Sequence, residues 1–413
     1  MPETYTVRVG EGTRRFWKGG QPSLSGGRRA REGFFYYAFK GWKIADVDPT
    51  FSAELTQDLS KAEAAVRRLN DDPPRTHLLE AVARQLLRSE AIASSRIEGF
   101  QLSHRKLAEA AFDPSDTSRN ALTVLGNVRA MDEAIRAATR RDLTVENIRA
   151  IHRKLFDGTA DARIAGRIRD RQNWIGPRDN PWGAVFIPVP EEDVQPLLQD
   201  LCAFLLREDL PAIAQAALAH AQFETIHPFE DGNGRVGRAL IHLLLRRRGV
   251  APSYVPPISL VLAANSNEYE RGLTTYREKH SEEWIGIFAR AVTIACDRAA
   301  ELAGQIERLK ASWRSQAGQP RAGSAADKLI EALPVHPVLD LGTAQEVLGV
   351  SDEAARLGLE RLTKAGVLVE ITKRRRGRTW ESVGLFKLLD GLERTLGAGP
   401  GKPSSRAPRP TRP

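Results

Sequence analysis

The chain has 413 residues and a formal net charge of +9, a length at which two or three domains are expected. Residues 1–40 and 371–413 together carry +13, which leaves about −4 for the middle and excludes a uniformly basic nucleic-acid binder. No segment has eighteen uninterrupted apolar residues and the N-terminus lacks a signal-peptide core, so we expect a soluble, cytoplasmic protein without membrane spans.

The first two predicted regions are a basic N-terminal segment and a helical domain. Residues 1–40 are rich in Gly, Ser, Arg and aromatic residues without a clear period, so we expect a partly extended segment. Helical periodicity dominates residues 41–130 and is interrupted by Asp-Asp-Pro-Pro at residues 71–74. We therefore expect an N-terminal helical domain with a break in the helical structure at these residues.

One helix of this domain runs into the segment Ser-Ser-Arg-Ile-Glu-Gly, residues 94–99. Ser94 and Glu98 fall four residues apart on one helix face, and Gly99 is typical of a helix end. By itself the pattern more often indicates a surface glutamate, here beside Arg96 on a solvated helix.

Residues 131–312 are predicted to form a helical core that contains one β-hairpin. Between Arg163 and Val194, short β-rich runs flank the turn residues Asp-Asn-Pro-Trp-Gly. The two cysteines, Cys202 and Cys296, lie in helical apolar surroundings without metal-ligand spacing. We therefore expect two buried free thiols and neither a disulfide nor structural zinc.

The most informative segment of the core is His-Pro-Phe-Glu-Asp-Gly-Asn-Gly-Arg-Val-Gly-Arg, residues 227–238. The preceding residues 212–226 show helical spacing of apolar positions, and the following residues form a second predicted helix that ends at Arg246-Arg-Arg-Gly249. The segment is therefore a loop that leads into a helix N-terminus.

This loop combines the groups that nucleotide transfer requires. The backbone of Gly232, Asn233 and Gly234 can approach a phosphate at the helix N-terminus, and Arg235 and Arg238 add charged donors. Asp231 can hold Mg²⁺ together with phosphate oxygens, and His227 can accept a proton near neutral pH. Each element alone is more often structural, because a lone His or a Gly-Asn-Gly turn is common. Their combination predicts a phosphate site with a base beside it.

The twelve residues resemble the signature of the Fic family, His-x-Phe-x-Asp/Glu-Gly-Asn-Gly-Arg-x-x-Arg, at every specified position. The resemblance implies transfer of AMP from ATP, with Mg²⁺, to a Ser, Thr or Tyr hydroxyl of a target protein. It implies that His227 is the general base and Asp231 the Mg²⁺ ligand. Gly232 through Gly234 would form the anion hole, Arg235 and Arg238 would hold the triphosphate, and Phe229 would anchor the loop.

The resemblance also assigns roles outside the loop. Residues 94–99 match the family's inhibitory pattern, in which Glu98 would pair with Arg238 and prevent a productive grip on the γ-phosphate. The hairpin would be the family's flap, which pairs with the target main chain; our candidates are Ile175, Gly176, Phe186 and Ile187. Tyr269 would lie near the adenine, where many members carry Tyr-Tyr but this chain has Tyr-Glu.

Beyond a linker at residues 313–324, residues 325–393 are predicted to form a winged helix-turn-helix with Ser351 and Asp352 as N-cap candidates. Its basic wing tip spans residues 373–378, but its second helix is nearly charge-balanced. DNA and protein partners are therefore both open. Residues 394–413 are predicted to be a disordered basic tail.

We therefore expect a mainly α protein: a helical Fic core with a β-hairpin flap, an N-terminal helical domain and a C-terminal winged helix-turn-helix. Its predicted function is autoinhibited protein adenylylation. Two alternatives remain, namely removal of AMP with water oriented by Glu98, and a DNA-binding regulator whose core senses nucleotide. The resemblance also implies a homodimer, for which the sequence shows no interface.

Overall fold

The structure, a computed structural model, describes residues 12–18, 33–71, 76–113, 118–176, 180–371 and 377–397. It is mainly helical, which confirms the predicted fold class. The helices in these residues are α1 (Ala53–Asp71), α2 (Thr76–Ile97), α3 (His104–Phe112), α4 (Arg119–Ala137), α5 (Val145–Phe156), α6 (Glu191–Leu205), α7 (Ala212–Ile226), α8 (Asn233–Arg247), α9 (Ile258–Ala264), α10 (Ser266–Arg277), α11 (Ser281–Gln316), α12 (Ala325–Ala332), α13 (Leu341–Leu348), α14 (Asp352–Lys364) and α15 (Leu385–Gly397).

Two small antiparallel sheets accompany these helices. The first pairs β1 (Gly12–Trp17) with β2 (Phe34–Phe39) in the register Gly12↔Phe39 to Trp17↔Phe34. The second has the order β3-β5-β4 and contains β3 (Val338–Asp340), β4 (Leu368–Glu370) and β5 (Thr379–Ser382). Within the described ranges, no helix is both long and apolar enough to cross a membrane.

The chain divides into two compact units. The first contains residues Met1–Leu59, Arg129–Arg248 and Gly272–Gly286, and the second contains Ser60–Val128, Gly249–Arg271 and Ile287–Pro413. The six predicted segments and the boundaries between them stay predictions.

The centre of the first unit is the antiparallel pair α7 and α8, which flank the predicted loop. Every residue of α7 is buried, because its alanine-rich sequence presents small side chains on all faces. Gly237 of α8 permits the close approach of the two helices, since a Cβ there would lie 2.7 Å from Glu224 Oε1 and 3.0 Å from the Phe223 ring. The indole N–H of Trp284 donates to the carbonyl of Ala217 at 2.8 Å, which satisfies a polar group inside this core.

The β1–β2 hairpin packs on the predicted flap, also within the first unit. The N–H of Phe39 donates to the carbonyl of Ile187 at 2.9 Å, and Ala38 is buried in a cluster with Ala184 and Ile187. Arg15 forms ion pairs with Glu191 and Glu192 in the first turn of α6. The aromatic run of residues 34–39 therefore forms a strand that covers the flap.

In the second unit, α2 packs against α9, and the buried Glu90 joins them. Its carboxylate accepts bonds from the backbone N–H and the hydroxyl of Ser259, at 2.7 and 2.5 Å. A neighbouring apolar cluster joins α2, α3 and α4 and contains Ile92, Leu102, Leu107, Ala110, Ala121 and Val124.

The C-terminal part of this unit consists of α12 to α15 and the three-stranded sheet. Ser351 is the N-cap of α14, as predicted, and its hydroxyl accepts the N–H of Ala354 at 3.4 Å; Asp352 is the first helical residue. Gly349 adopts φ +61° and ends α13. Residues 373–376 of the predicted wing tip (373–378) and residues 398–413 of the predicted tail (394–413) lie outside the described residues. Residues 394–397, which were predicted to belong to the disordered tail, form the end of α15 instead.

Candidate functional site

His227 lies where α7 ends and adopts a left-handed conformation, with φ 51° and ψ 61°. This region is uncommon for a residue other than glycine, and surrounding bonds must hold it there. The N–H of His227 donates to the carbonyl of Phe223 at 2.9 Å, and its carbonyl accepts Arg169 Nε at 2.9 Å. With 16% of the side chain exposed, the imidazole is held in a defined place but accessible.

Two side chains fix the loop that follows His227. The amide of Asn233 accepts the N–H of Phe229 at 2.8 Å and donates to its carbonyl at 2.9 Å. His152 stacks on the buried Phe229 ring at a centroid distance of 3.8 Å, and its Nδ1 accepts the N–H of Gly166 at 2.7 Å. Its Nε2 therefore carries the proton and donates to the carbonyl of Asp231 at 2.9 Å. Burial lowers the pKa of His152 to about 4, so the ring is neutral at physiological pH.

Gly232 starts α8 with φ +84°. A Cβ at this position would lie 2.7 Å from Leu155 Cδ2 and 2.9 Å from Phe156 Cε2, so the turn requires glycine both for its backbone angle and for space. The first N–H groups of a helix have no acceptor within the helix and carry a partial positive charge. The backbone of Asn233 and Gly234 therefore presents donors suited to an anion, whereas the Asn233 side chain is used to close the loop.

Arg235 and Arg238 are buried, with residue exposures of 1% and 0%. Arg235 lies 3.3 Å from the Asp231 carboxylate and 5.4 Å from the centre of the Phe156 ring. Two buried guanidinium groups in the first turns of α8 add to the positive potential of its N-terminus. The sequence predicted the charges but not their burial.

Asp231 is an exposed carboxylate of the loop, with 55% of its side chain accessible. In the described part of the chain, no group of three or more His, Cys, Asp or Glu side chains could hold a metal ion. A single carboxylate beside the predicted phosphate site nevertheless fits Mg²⁺, which takes one or two protein carboxylates together with phosphate oxygens and water.

Two residues of α7 contribute to the site although the sequence did not single them out for function. The buried Glu224 places Oε2 3.8 Å from Nδ1 of His227. His220 is buried one turn earlier, and burial, aided by the charge of Arg238, lowers its pKa to about 3. Glu224 sits three residues before His227, one helical turn away, and this spacing is the only signal that could have identified it.

The hairpin expected to act as a flap is present. Ile175 and Phe186 form an antiparallel bridge, with Ile175 N–H donating to the Phe186 carbonyl at 2.8 Å. A Cβ at Gly176 would lie 2.9 Å from Ala184 Cα, so the turn needs glycine for close packing. Phe186 and Ile187 are each 8% exposed, and β2 already bonds the Ile187 carbonyl. Their predicted contact with a target stays a prediction, and their side chains pack inward.

The predicted inhibitory segment belongs to the second unit. Ser94 is buried in the last turn of α2, and Glu98 is exposed one residue beyond the helix end at Ile97. Gly99 adopts φ +85° and Phe100 N–H donates to the Ser95 carbonyl at 3.0 Å, the pattern of a helix terminated by glycine. Tyr269, also in the second unit, is 5% exposed in α10. The pairing of Glu98 with Arg238 and the adenine contact of Tyr269 stay predictions.

Helix α14 is the predicted second helix of the helix-turn-helix, and two of its cations are engaged locally. Arg356 pairs with Asp352 at 2.9 Å, and Arg361 donates to the carbonyls of Ala317 and Gly318. The exposed N-terminus of this helix is acidic, which does not favour contact with phosphates. A DNA partner stays a prediction.

The comparisons with known proteins match the same part of the chain. Residues 142–245, which include the whole loop, match the Fic/DOC family, and residues 56–136 match the Fic/DOC family N-terminal domain. In overall fold the chain is similar to the crystal structure of a Fic family protein from Desulfovibrio desulfuricans G20. That similarity has a TM-score of 0.51 at 22% identity and covers 81% of this chain and 98% of the other.

Two named relatives are similar in sequence. Protein adenylyltransferase fic-1 of Caenorhabditis elegans is 28% identical over 301 residues, which are 62% of this chain and 56% of the relative. Protein adenylyltransferase Fic of Drosophila melanogaster is 35% identical over 118 residues, 28% of this chain and 22% of the relative. The chain thus spans about half the length of the nematode relative and less of the fly protein.

Proposed function

The chain belongs to the Fic/DOC family, and on this premise we propose that it transfers AMP from ATP to a hydroxyl side chain of a target protein. The observation that carries the proposal is the loop from His227 to Arg238. It combines an accessible imidazole, an exposed carboxylate and a helix N-terminus backed by two buried arginines. These groups supply a base, a metal ligand and an anion site within twelve consecutive residues.

In the proposed reaction, His227 removes the proton from the target hydroxyl while the hydroxyl oxygen attacks the α-phosphorus of ATP. The new O–P bond forms as the bond from the α-phosphorus to the bridging oxygen breaks, and pyrophosphate leaves. Because Nδ1 faces Glu224, we assign Nε2 to the target hydroxyl. A nearby carboxylate favours the protonated imidazole, so Glu224 stabilises the state in which His227 holds the proton.

The nucleotide's phosphates are proposed to lie at the N-terminus of α8. The backbone of Gly232 through Gly234 donates to phosphate oxygens, and Arg235 and Arg238 provide the balancing charge behind them. Asp231 would hold Mg²⁺, which supplies neutralisation of the developing pyrophosphate charge when bound. The Asp231 carboxylate lies 3.3 Å from the Arg235 guanidinium, so the proposed metal ligand is held next to one of the arginines.

We further propose that the segment from Ser94 to Glu98 inhibits the transfer. The support is its match to the family's inhibitory pattern and its anchored local structure. Ser95 donates to the carbonyl of Ala91 at 2.8 Å and accepts Asn127 Nδ2 at 3.1 Å, so the turn that carries Glu98 has a defined position in the second unit. Wild-type protein should therefore be nearly inactive and Glu98→Gly active.

The test is a labelling assay with α-labelled ATP and Mg²⁺ on three proteins: wild type, Glu98→Gly, and Glu98→Gly combined with His227→Ala. We expect strong self-labelling of Glu98→Gly, weak labelling of wild type, and none in the double variant because the base is absent. Replacing the label by γ-labelled ATP should give no incorporation, since AMP and not the terminal phosphate is transferred.

Each alternative gives a different result. Absence of labelling in Glu98→Gly would refute the adenylyltransferase proposal. Incorporation from γ-labelled but not α-labelled ATP would indicate phosphoryl transfer by the same loop. Equal labelling of wild type and Glu98→Gly would leave the transferase assignment standing and refute the inhibitory role of Glu98.

A further inference from the structure

Arg169 is a buried arginine whose guanidinium bonds only main-chain carbonyls among the contacts that the structure defines for it. It is 7% exposed. Its Nε donates to His227 at 2.9 Å and its Nη1 to Arg171 at 3.1 Å, while its Nη2 donates to Val189 at 2.5 Å and to Ile226 at 3.3 Å. Four of the five N–H donors of a guanidinium are thus in use.

This arrangement is specific to arginine. Burial lowers the pKa of Arg169 to about 10, so the group is still charged at neutral pH. A buried cation is unfavourable unless its donors are bonded, and the planar fork reaches several carbonyls at fixed angles that a lysine ammonium cannot match. With its donors directed to the protein backbone, Arg169 is not a phosphate ligand.

The carbonyls that accept bonds from Arg169 belong to two different segments, the flap hairpin and the end of α7. Arg171 and Val189 lie at the two ends of the flap hairpin, and Ile226 and His227 form the end of α7. The backbone N–H of Arg169 also donates to the carbonyl of Pro228 at 2.9 Å. One side chain therefore connects both flap ends to the residue proposed as the base, and it holds that residue in its left-handed conformation.

The loop expected to hold nucleotide is fixed by other bonds. Asn233 closes it onto Phe229, and His152 holds the Asp231 carbonyl. Neither side chain bonds the Arg169 guanidinium in the contacts defined here. Loss of that guanidinium should therefore displace the base relative to the flap and leave the anion site in place.

We propose that Arg169 is a positioning residue that sets His227 relative to the flap, and hence the base relative to the target hydroxyl. The inference rests on the proposed adenylyltransferase function. Misplacement of a reacting group by about 1 Å can lower a rate on the order of 100-fold. The expected effect is a loss of transfer with little change in ATP affinity.

The experiment compares Arg169→Lys and Arg169→Ala in a Glu98→Gly parent. We expect self-labelling at saturating ATP to fall about 100-fold in Arg169→Ala and at least about 10-fold in Arg169→Lys. The Kd for ATP, measured by calorimetry, should stay within about 2-fold of the parent. The matched control is Arg207→Gln, because Arg207 also donates to main-chain carbonyls, those of Ala45 and Val47, but contacts neither the flap nor His227 in the bonds described. It should keep parental self-labelling.

Chemical rescue distinguishes positioning from general loss of structure. Ethylguanidinium can occupy the space left in Arg169→Ala and donate to the same carbonyls, so it should restore part of the transfer rate. Tetramethylammonium has the charge but no donors and should not. The proposal is overturned by full activity in Arg169→Lys, by a loss of ATP affinity that matches the loss of transfer, or by absence of rescue. A parent that does not self-label refutes the proposed function, and the role of Arg169 falls with it.

Discussion

The sharpest test of autoinhibition concerns the ion pair between Arg96 and Glu393 in the second unit. Arg96 lies two residues before Glu98, and its Nη2 is 2.5 Å from Glu393 Oε2 on α15. The other carboxylate oxygen of Glu393 lies 3.1 Å from Nε2 of the buried His104. Burial opposes ionisation of Glu393, but the bonds from His104 and Arg96 outweigh it and lower its pKa. The carboxylate therefore joins the proposed inhibitory segment to the last helix.

The magnitude follows from the burial of the pair. Arg96 is 34% exposed and Glu393 17% exposed at their side chains, which places the pair between surface bridges worth up to about 1 kcal/mol and buried ones that cost about 3–5 kcal/mol to break. We therefore expect Glu393→Gln, which removes the charge, to destabilise this contact by about 1–2 kcal/mol. This ion pair is present in the conformation that we propose to be inhibited. Its loss should therefore raise the fraction of molecules in which the inhibitory segment is released by about 5- to 30-fold.

The assay is self-labelling with α-labelled ATP in wild type, Glu393→Gln, and Glu393→Gln combined with Glu98→Gly. The single variant should label about 5- to 30-fold more than wild type, whereas the double variant should equal Glu98→Gly because nothing remains to be released. The matched control is Glu381→Gln. Glu381 pairs with Arg105 of α3 at 2.7 Å and does not contact α2 in the bonds described, so its loss should leave labelling unchanged.

Wild-type labelling in Glu393→Gln, with strong labelling in Glu98→Gly, would refute the reasoning on this ion pair and leave the inhibitory role of Glu98 standing. An equal rise in Glu381→Gln would indicate general loosening of the second unit and not a specific contact.

Two further predictions concern the loop and the helix before it. Gly232→Ala must place a Cβ 2.7 Å from Leu155 at φ +84°, so in a Glu98→Gly parent it should abolish self-labelling. The control is Gly391→Ala in the same parent, where a Cβ meets nothing within 4 Å and self-labelling should be intact. Self-labelling of both variants would contradict the packing argument. Burial lowers the pKa of His220 from 6.5 to about 3, so below pH 6.5 the unfolded chain takes up a proton that the native state does not. Protonation of His220 in the unfolded chain therefore does not affect the free energy of unfolding above pH 6.5. As the pH falls from 6.5 towards 4, it lowers that free energy by about 1.4 kcal/mol per pH unit. Urea unfolding at pH 7 and pH 5 should show this slope reduced in His220→Gln, and an unchanged slope would exclude His220 as its source.

The residues of the loop could be predicted because they are adjacent in sequence. Twelve consecutive residues contain the imidazole, the carboxylate, the glycines and both arginines, and the helical spacing on either side predicts that they lie at a helix N-terminus. The mainly α fold was confirmed for the same reason, since helical periodicity is a local property of the chain. The Ser351 N-cap is equally local.

The residues outside the loop that hold it, His152 and Arg169, could not be predicted, because their partners are distant in sequence. His152 bonds a carbonyl 79 residues away, and Arg169 bonds one 58 residues away. Arg167, Arg169 and Arg171 alternate along one short extended run, yet only Arg169 is buried. No local pattern distinguishes the middle arginine, since its burial depends on the flap and the end of α7 meeting around it.

By itself, the sequence determined the chemistry available at the loop: which groups can accept a proton, bind a metal ion or attract phosphate. Only the tertiary structure determined the backbone conformation and the burial of these groups. It holds His227 in a left-handed turn, buries Arg235 and Arg238 behind the helix N-terminus, and leaves Asp231 exposed. The physical reason is that a side chain's chemical type is local, whereas its burial and bonding depend on segments that only folding brings together.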